Sequence, residues 1–501
     1  MTDLKVRVQY IKEYLIQKNI IFYLAISWIV LGVVFFTAQG MQFGKAECVI
    51  SIVVIFLCSM ILLCYKLLED KLHIFAALLI LSLGCVSLFV QPILNIPDEQ
   101  THFARAEMVS RGILYINPDE QEFDSIQSYI ELRDQRNVPY TQSEVKGKKI
   151  DDTTKVVTHV AASNMTFLYF PQAIGVFVAK ILELDVIWML WLGRIFNLCW
   201  YAFLVFLSVK IAPKMKFLLL FMSMLPISIQ QAASFSPDAT INGLAFLLIG
   251  YFLSLYCKEN KEISRKEMLV FLILSILVTL SKVTNVFMAG LILLLPLQRF
   301  KSKKSMYFFK IIIITTVIFV GGGYYYYTTT FAPNLEAQAF LGELNVSSSG
   351  QIQYILHNFF KWIRDFGGAM INQSEEYIRM LSWFGCLDYK YPVLTIISVF
   401  IFGKLCSQDI CINLGIFQKV LVFLMIVGIF SFSCLALYIS WTPVGANYID
   451  GIQGRYFIPA IAMVPLLFAK DKEIKFEHAG DCAALINMVG TMLIITACKY
   501  Y

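Results

Sequence analysis

Long apolar runs separated by short polar loops extend along almost the whole chain. We interpret thirteen of these runs as membrane-spanning segments, because a transmembrane helix needs about 20 predominantly apolar residues. They cover residues 20–37, 49–65, 72–90, 186–209, 217–229, 236–256, 268–280, 283–297, 306–323, 391–403, 417–440, 456–469 and 482–498. The pattern predicts an all-α polytopic membrane protein with about 13 transmembrane helices and two long polar segments that carry helices of their own.

The loops between these runs show a regular pattern of positive charge. Lysine and arginine concentrate in residues 1–19 and in the loops at 66–71, 210–216, 258–266, 299–304 and 470–475. Cytoplasmic loops of membrane proteins are enriched in these two residues. The pattern therefore predicts a cytoplasmic N-terminus and puts both long polar segments on the extracytoplasmic face.

This topology divides the chain into five regions. Residues 1–90 hold the first three transmembrane helices, 91–185 the first extracytoplasmic loop with an amphipathic interfacial helix, 186–327 helices four to nine, 328–390 the second extracytoplasmic segment, and 391–501 the C-terminal transmembrane helices. Shorter helices are predicted at 99–111, 124–136 and 352–366. The interfacial helix, at 164–184, is predicted to bury Tyr169, Phe170, Ile174 and Phe177 in the membrane interface.

Composition supports a membrane protein and argues against a soluble enzyme. Of 501 residues, 58% are hydrophobic and 15% are charged, whereas soluble domains have about 45–50% apolar and about 25% charged residues. The net charge of +6 comes from the basic loops, so no nucleic-acid partner is predicted. Most of the 12 cysteines lie inside apolar runs, where they act as small hydrophobic residues, and neither a disulfide framework nor a zinc site is expected.

Asp98, Glu99 and His102 are the first candidates for chemistry. They follow the third apolar run in the sequence Pro-Asp-Glu-Gln-Thr-His-Phe at 97–103. Ionisable groups near a bilayer are unfavourable and frequently functional, and three of them on one helical turn favour a catalytic site. The alternative is an ordinary helix start, since proline and acidic residues are both common in a first turn.

Ser236, Asp238 and Lys282 are candidate substrate-binding residues. Ser236-Pro237-Asp238 predicts a helix start whose free backbone N–H groups can hold a phosphate, although helix capping alone explains it. Lys282 lies at the polar tip between two half-length apolar runs, which indicates a site at membrane depth; the alternative is a lysine that extends to the interface. Arg194, inside the fourth run, must face protein or a hydrated cavity.

Arg455 is the second candidate cation. Arginine binds phosphate through paired hydrogen bonds and keeps its charge, and the adjacent Gly454 allows close approach of the backbone; the alternative is an interfacial anchor. Gln453 precedes it in the same motif. Trp383 and Asp388 end the second long segment, where Trp383 either stacks on a sugar ring or belongs to the aromatic belt of the membrane interface.

Four motifs in this order resemble a bacterial family of polytopic membrane proteins of undefined function. They are Pro-Asp-Glu-x-x-His-Phe at 97–103, Ser-Pro-Asp at 236–238, Gly-Cys-Leu-Asp at 385–388 and Gln-Gly-Arg-Tyr-Phe at 453–457. That family is similar in design to the GT-C glycosyltransferases, which take a sugar from a polyprenyl-phosphate carrier on the outer face of the membrane. The resemblance covers residues 72–469 and implies a GT-C-like protein of the bacterial cytoplasmic membrane.

The resemblance implies a catalytic base in the first outer loop, at Asp98 or Glu99. We expect Asp98 to be the base, with Glu99 or His102 orienting it or binding the acceptor. The chemistry of the residues agrees, because Lys282 and Arg455 can neutralise a leaving phosphate while a carboxylate takes the proton of the attacking hydroxyl. We therefore expect inverting transfer of a sugar from a polyprenyl-phosphate carrier to a cell-envelope glycan or lipid-linked acceptor. The expected substrate contacts are Ser236, Asp238, Trp383, Asp388 and Gln453.

Other functions fit the same residues. A flippase for lipid-linked oligosaccharides, or another transporter, has a similar number of spans with intramembrane cations, and a polysaccharide polymerase also acts on lipid carriers. Metal dependence is open, because Asp98, Glu99, His102 and Asp238 suit a divalent cation while nothing in the sequence fixes their separation. No other cofactor is expected. The predicted partners are the lipid-linked sugar, its acceptor and membrane lipids.

Overall fold

The computed structural model describes residues 20–39, 44–115, 123–157, 161, 164–258, 262–330, 345–387, 392–407, 412–470 and 477–501. Helices dominate, which confirms the predicted all-α membrane protein. The α-helices are Ile20–Gln39, Lys45–Leu68, Leu72–Val90, Glu99–Ser110, Gln127–Asp134, Phe170–Ile181, Ile187–Ile211, Lys216–Ser223, Pro226–Ala232, Asp238–Tyr256, Arg265–Ser281, Leu291–Leu294, Lys303–Thr330, Ser348–His357, Phe359–Asn372, Ser374–Leu381, Val393–Ser407, Ile416–Ser440, Ile458–Ile461 and Ala479–Tyr500. The 3-10 helices are Glu69–Lys71, Tyr140–Gln142, Thr166–Tyr169, Val283–Gly290, Leu297–Arg299, Gly454–Phe457 and Val464–Phe468.

Within the described part of the chain, seven helical stretches are long and apolar enough to cross a membrane. They are Ile20–Ala38, Lys45–Val90, Ile187–Ile211, Asp238–Tyr256, Lys303–Thr328, Ile416–Ser440 and Ala479–Tyr500. The second of them is divided by a short 3-10 turn. Shorter apolar stretches cover Thr166–Ile181, Val283–Leu294, Val393–Ser407 and Gly454–Phe468. A polytopic membrane protein is thus supported, and the count of 13 spans stays a prediction.

Three of the predicted spans are broken helices. The run at 217–229 forms two short helices that separate at Pro226, because proline lacks the N–H group that a continuous helix needs. The runs at 283–297 and 456–469 alternate between 3-10 and α-helical turns. Non-helical backbone at membrane depth is tolerated where protein surrounds it, and these segments are largely buried. Their ends carry polar residues of the candidate site.

Helix Ile187–Ile211 is central to the packing of the bundle. It contacts helices Leu72–Val90, Phe170–Ile181 and Asp238–Tyr256. Gly175 permits one of these contacts, since a Cβ atom there would lie 2.4 Å from the backbone of the central helix. The central helix therefore holds the start of the first polar segment next to the start of the helix that begins at residue 238.

The first long polar segment contains a small sheet that the sequence did not predict. Strands Phe123–Ile126 and Thr154–Val157 pair antiparallel, with Phe123 opposite Val157. The helix predicted at 124–136 was placed too early, because Asp124 belongs to a strand whose residues alternate between buried and exposed positions at its start. The helix predicted at 99–111 is observed at nearly the same bounds.

The helix predicted at 164–184 is observed as Phe170–Ile181. Phe170, Ile174 and Phe177 are each nearly half exposed, and their spacing puts them on one face that can contact lipid. Tyr169 differs from the prediction because it is completely buried inside the protein. It belongs to the core of the first polar segment, which also explains why its hydroxyl has protein partners.

The second long polar segment, as far as it is described, forms three helices in place of the single helix predicted at 352–366. They are Ser348–His357, Phe359–Asn372 and Ser374–Leu381. The first two helices are separated at Asn358, because its φ of −124° and ψ of 36° are not helical. The last of the three helices packs on the 3-10 turn Gly454–Phe457, which brings this segment next to a broken span.

Candidate functional site

Arg455 joins polar side chains from distant parts of the chain. Its Nη2 donates a hydrogen bond to Oδ2 of Asp98 at 2.9 Å, and its Nη1 donates to Oε1 of Gln231 at 2.7 Å. Its Nε lies 3.1 Å from Oδ2 of Asp238, an ion pair without the geometry of a hydrogen bond. The arginine side chain is almost completely buried, so the two carboxylates stabilise its charge in place of bulk water.

Asp98 holds an unusual backbone conformation in this cluster. It precedes helix Glu99–Ser110 with a φ of 63°, in the left-handed region that residues other than glycine seldom adopt. Its carbonyl oxygen accepts hydrogen bonds from the N–H of His102 and the hydroxyl of Thr101, which hold the turn. Strained positions of this kind concentrate at functional sites. The Asp98 side chain remains 53% exposed, so its carboxylate is fixed and accessible.

Ser236 and Asn197 fix the position of Asp238. The Ser236 hydroxyl accepts a hydrogen bond from the N–H of Asp238 at 3.2 Å, as a capping serine does. The Asn197 side chain donates to the carbonyl of Ser236 at 3.1 Å. Ser236 is almost fully buried, so the structure makes it a support for Asp238 instead of the expected contact with substrate. Helix Asp238–Tyr256 thereby presents its first carboxylate to the arginine.

Lys282 joins the same region through an aromatic ring. Its Nζ lies 3.4 Å from the ring centroid of Tyr456, and the Arg455 guanidinium carbon lies 5.6 Å from that centroid. Lys282 is also close enough to interact electrostatically with Asp238 and Arg455. The structure therefore brings together Asp98, Asp238, Lys282 and Arg455, with two positive charges facing two negative ones. We call these four residues the ionic cluster.

Glu99 lies in a different environment from its neighbour. Its Oε1 and Oε2 accept hydrogen bonds from Nε and Nη2 of Arg194 at 2.8 and 2.6 Å, and neither side chain has accessible surface. Arg194 also donates to three carbonyl oxygens, those of Leu88, Gln91 and Pro92. A buried carboxylate with these partners cannot reach a substrate. In place of the catalytic role expected of Glu99, the structure gives it an anchoring role.

His102 contacts the core of the first polar segment. Its Nδ1 lies 2.9 Å from the hydroxyl oxygen of Tyr169. The Asn164 side chain donates to the same oxygen at 2.8 Å. The structure thus connects His102 to Tyr169 in the core of the first polar segment.

A cavity of about 420 Å³ adjoins Arg455. Ligand pockets usually have volumes of about 300–1,000 Å³. Its walls combine aromatic, apolar, amide and charged side chains, which include Trp383, Phe384, Met380, Gln453, Glu376 and Arg379. The Trp383 indole is held by a hydrogen bond from Nε1 to the carbonyl of Leu387 at 3.0 Å. Trp383 and Gln453 therefore line the same cavity as the arginine, whereas Asp388 lies outside the described residues.

Gln231, Glu376 and Arg379 belong to this site but were not predicted. The sequence does contain an indication for Gln231. This residue follows a short apolar run that Pro226 interrupts, and interrupted spans often form binding sites in membrane proteins. Glu376 and Arg379 are three residues apart on an amphipathic helix, a spacing that is equally typical of a solvated surface. Their position at the site follows from the contact between that helix and the 3-10 turn Gly454–Phe457, which the sequence does not show.

Most of the chain matches one known family. Residues 81–464 fit the model of a family described as predicted membrane protein (DUF2142), and this range includes the ionic cluster and the described lining of the cavity. The chain belongs to this family. No curated protein and no solved structure matches the chain. Membership in DUF2142 agrees with the apolar helices and with the predicted membership of a membrane protein family of undefined function.

Metal binding has little geometric support in this DUF2142 protein. Among the residues that the structure describes, no group of three or more His, Cys, Asp and Glu side chains could hold a metal ion. The four candidate metal ligands considered from the sequence are divided among different partners in the structure. Asp98 and Asp238 share Arg455, Glu99 pairs with Arg194, and His102 contacts Tyr169.

Gly454→Ala is expected to destabilise the DUF2142 protein by about 1–3 kcal/mol. A Cβ atom at this position would lie 2.1 Å from the carbonyl oxygen of Tyr377, and backbone cannot move aside as a flexible side chain can. The matched control is Gly368→Ala, where no atom lies within 4 Å and where alanine favours the helix by up to about 1 kcal/mol. Thermal unfolding in detergent measures both, and equal melting temperatures would contradict the close contact.

Proposed function

We propose that the protein is a GT-C-type glycosyltransferase of the bacterial cytoplasmic membrane. It transfers a sugar from a polyprenyl-phosphate carrier to a cell-envelope glycan or lipid-linked acceptor on the extracytoplasmic face. The observation that carries the proposal is the accessible Asp98 carboxylate, 2.9 Å from Arg455, together with the ligand-sized cavity that Arg455 lines. Such a reaction needs a base, a cation for phosphate and a cavity among apolar helices, and all three are adjacent.

The phosphate leaving group explains the two cations. When the bond between C1 of the sugar and the phosphate oxygen breaks, its electron pair stays on that oxygen. Fixed positive charge stabilises this developing charge, which is the role proposed for Arg455 and Lys282. A lipid-linked donor also needs no nucleotide-binding loop, since its carrier lies in the bilayer.

One buried donor group supports a phosphate ligand at this place. Nε2 of Gln231 is buried without a hydrogen-bond acceptor, and its Oε1 is held by Arg455. Leaving a buried donor unsatisfied is unfavourable by about 1–3 kcal/mol. Phosphate oxygens accept strong hydrogen bonds from amide groups, so a bound sugar phosphate would satisfy this donor.

Asp98 is the proposed general base. The acceptor hydroxyl transfers its proton to the carboxylate while its oxygen forms the new bond to C1. Attack occurs opposite the phosphate, so the configuration at C1 inverts. Asp238 is the less suitable base, because its side chain is 11% exposed against 53% for Asp98. Its proposed role is to hold Arg455 in position.

The remaining cavity residues are proposed to bind the sugar. An aromatic face such as that of Trp383 stacks on the apolar face of a sugar ring. Gln453, Glu376 and Arg379 offer amide and charged groups, which orient a ligand by hydrogen bonds in pockets of this kind. This mixture suits a polar ring better than a purely apolar ligand.

Reconstitution separates the proposed reaction from transport. The purified chain is placed in proteoliposomes with polyprenyl-phosphate-linked labelled mannose, glucose or arabinose and a cell-envelope extract as acceptor. We expect label in a new glycoside, together with release of unlabelled polyprenyl phosphate. Protein-free liposomes are the control.

Two results would overturn the proposal. Movement of the labelled lipid across the bilayer without chemical change would identify a transporter. Joining of preformed lipid-linked oligosaccharides, with no use of the single-sugar donors, would identify a polymerase.

A further inference from the structure

A second cavity, of about 270 Å³, lies at the opposite end of the bundle. Lys214, Lys216 and His478 line it together with apolar residues that include Leu72, Phe217 and Leu405. Leu72 begins helix Leu72–Val90, which leads to the ionic cluster at its other end. That helix has 19 residues and is about 28 Å long, close to the thickness of the hydrocarbon core of a bilayer. The two cavities therefore belong to opposite membrane surfaces.

The second cavity is rich in available positive charge. Lys214 and Lys216 form no hydrogen bond or ion pair with the residues that the structure describes. Lys71 and Lys210 add to the same region, since both interact electrostatically with His73, as Lys216 does. Four lysines thus surround one end of the bundle at this position.

The carboxylate in contact with His478 is already neutralised. Asp481 contacts His478 at 3.1 Å, but both of its oxygens also accept hydrogen bonds from Lys404, at 2.8 and 2.7 Å. The His478 ring stacks on Phe217 with 4.1 Å between centroids. The imidazole and the phenyl ring form a flat wall, and Asp481 does not pair with either of the two lysines that line the cavity.

We propose that this cavity binds the phosphate headgroup of an anionic membrane lipid. Its apolar floor suits the glycerol and upper acyl carbons, whereas Lys214 and Lys216 suit the phosphate. Basic pockets between transmembrane helices bind anionic headgroups in this manner. The site is independent of the proposed transferase reaction, because it lies at the other membrane surface and shares no residue with the ionic cluster.

Native mass spectrometry of the full chain in detergent tests the proposal, with phosphatidylglycerol and phosphatidylcholine as probes. We expect preferential binding of phosphatidylglycerol. Lys214→Ala/Lys216→Ala is expected to weaken it about 25-fold, since each lysine near an anionic lipid contributes roughly a factor of five. The matched control is Lys301→Ala/Lys303→Ala, which removes two exposed lysines from another basic loop that does not line the cavity.

Three outcomes would overturn the proposal. Equal losses in the two double variants would show attraction by general positive charge alone. Equal binding of the two lipids would exclude recognition of net negative charge. Displacement of phosphatidylglycerol by an equal concentration of inorganic phosphate would identify a site for soluble anions.

Discussion

Asp98→Asn is expected to lower the rate of sugar transfer by roughly 10²- to 10⁴-fold, the usual contribution of a general base. Asparagine has nearly the shape of aspartate and tolerates the left-handed backbone conformation that residue 98 adopts. It can still accept the hydrogen bond from Arg455, but it cannot take up the proton of the acceptor. The donor KM should change little, because the proposed phosphate contacts remain. Initial rates in proteoliposomes at varied donor concentration separate the two parameters.

Asp134→Asn is the matched control for this variant. Asp134 is also an exposed aspartate, 63% accessible, with an ion pair to Arg133 at 3.7 Å, and it lies in the same polar segment. It should transfer sugar at the rate of the unmodified protein. A full rate for Asp98→Asn, with normal membrane insertion, would remove Asp98 from the role of base.

Arg194→Met is expected to destabilise the protein by about 3–5 kcal/mol, the usual effect of removing one partner of a buried ion pair. The substitution leaves the Glu99 carboxylate buried without its counter-charge and removes one donor from each of three carbonyl oxygens. A methionine fills much of the volume, so lost packing contributes less than lost charge. The melting temperature in detergent should fall sharply.

A double variant tests whether the unpaired charge of Glu99 causes the loss of stability. In Glu99→Gln/Arg194→Met no unpaired charge is buried, so part of the lost stability should return. The comparison needs both single variants and the double variant under the same detergent conditions. Additive losses would mean that the two side chains do not stabilise each other, and the anchoring role of Glu99 would then be wrong.

The membrane character of the chain could be predicted because a bilayer imposes strict rules. Backbone groups in lipid must be satisfied within helices, so apolar runs such as 187–211 and 416–440 are strong signals. The position of Asp98, Asp238, Lys282 and Arg455 on one side followed from the same rule, since each lies at the end of an apolar run. That these four residues lie close together could therefore be predicted without knowing their side-chain conformations.

Other features depend on information that hydropathy does not contain. Asp98 and Glu99 are adjacent, yet one is exposed and the other fully buried, because the chain turns through a left-handed residue between helices. The strand Phe123–Ile126 has only four residues, too few for a period of two to stand out. Glu376 reaches the cavity through packing between distant segments, which a single sequence does not reveal.

The dependence of two acids on one late arginine affects the biogenesis of the protein. A ribosome adds about 5–20 residues per second, so it incorporates Asp238 roughly 10–40 s before it incorporates Arg455. During this interval the insertion machinery must accept an acidic helix start whose permanent counter-ion has not yet been made. The site is therefore completed only near the end of synthesis, and a chain terminated before Arg455 would retain both carboxylates without the residue that neutralises them.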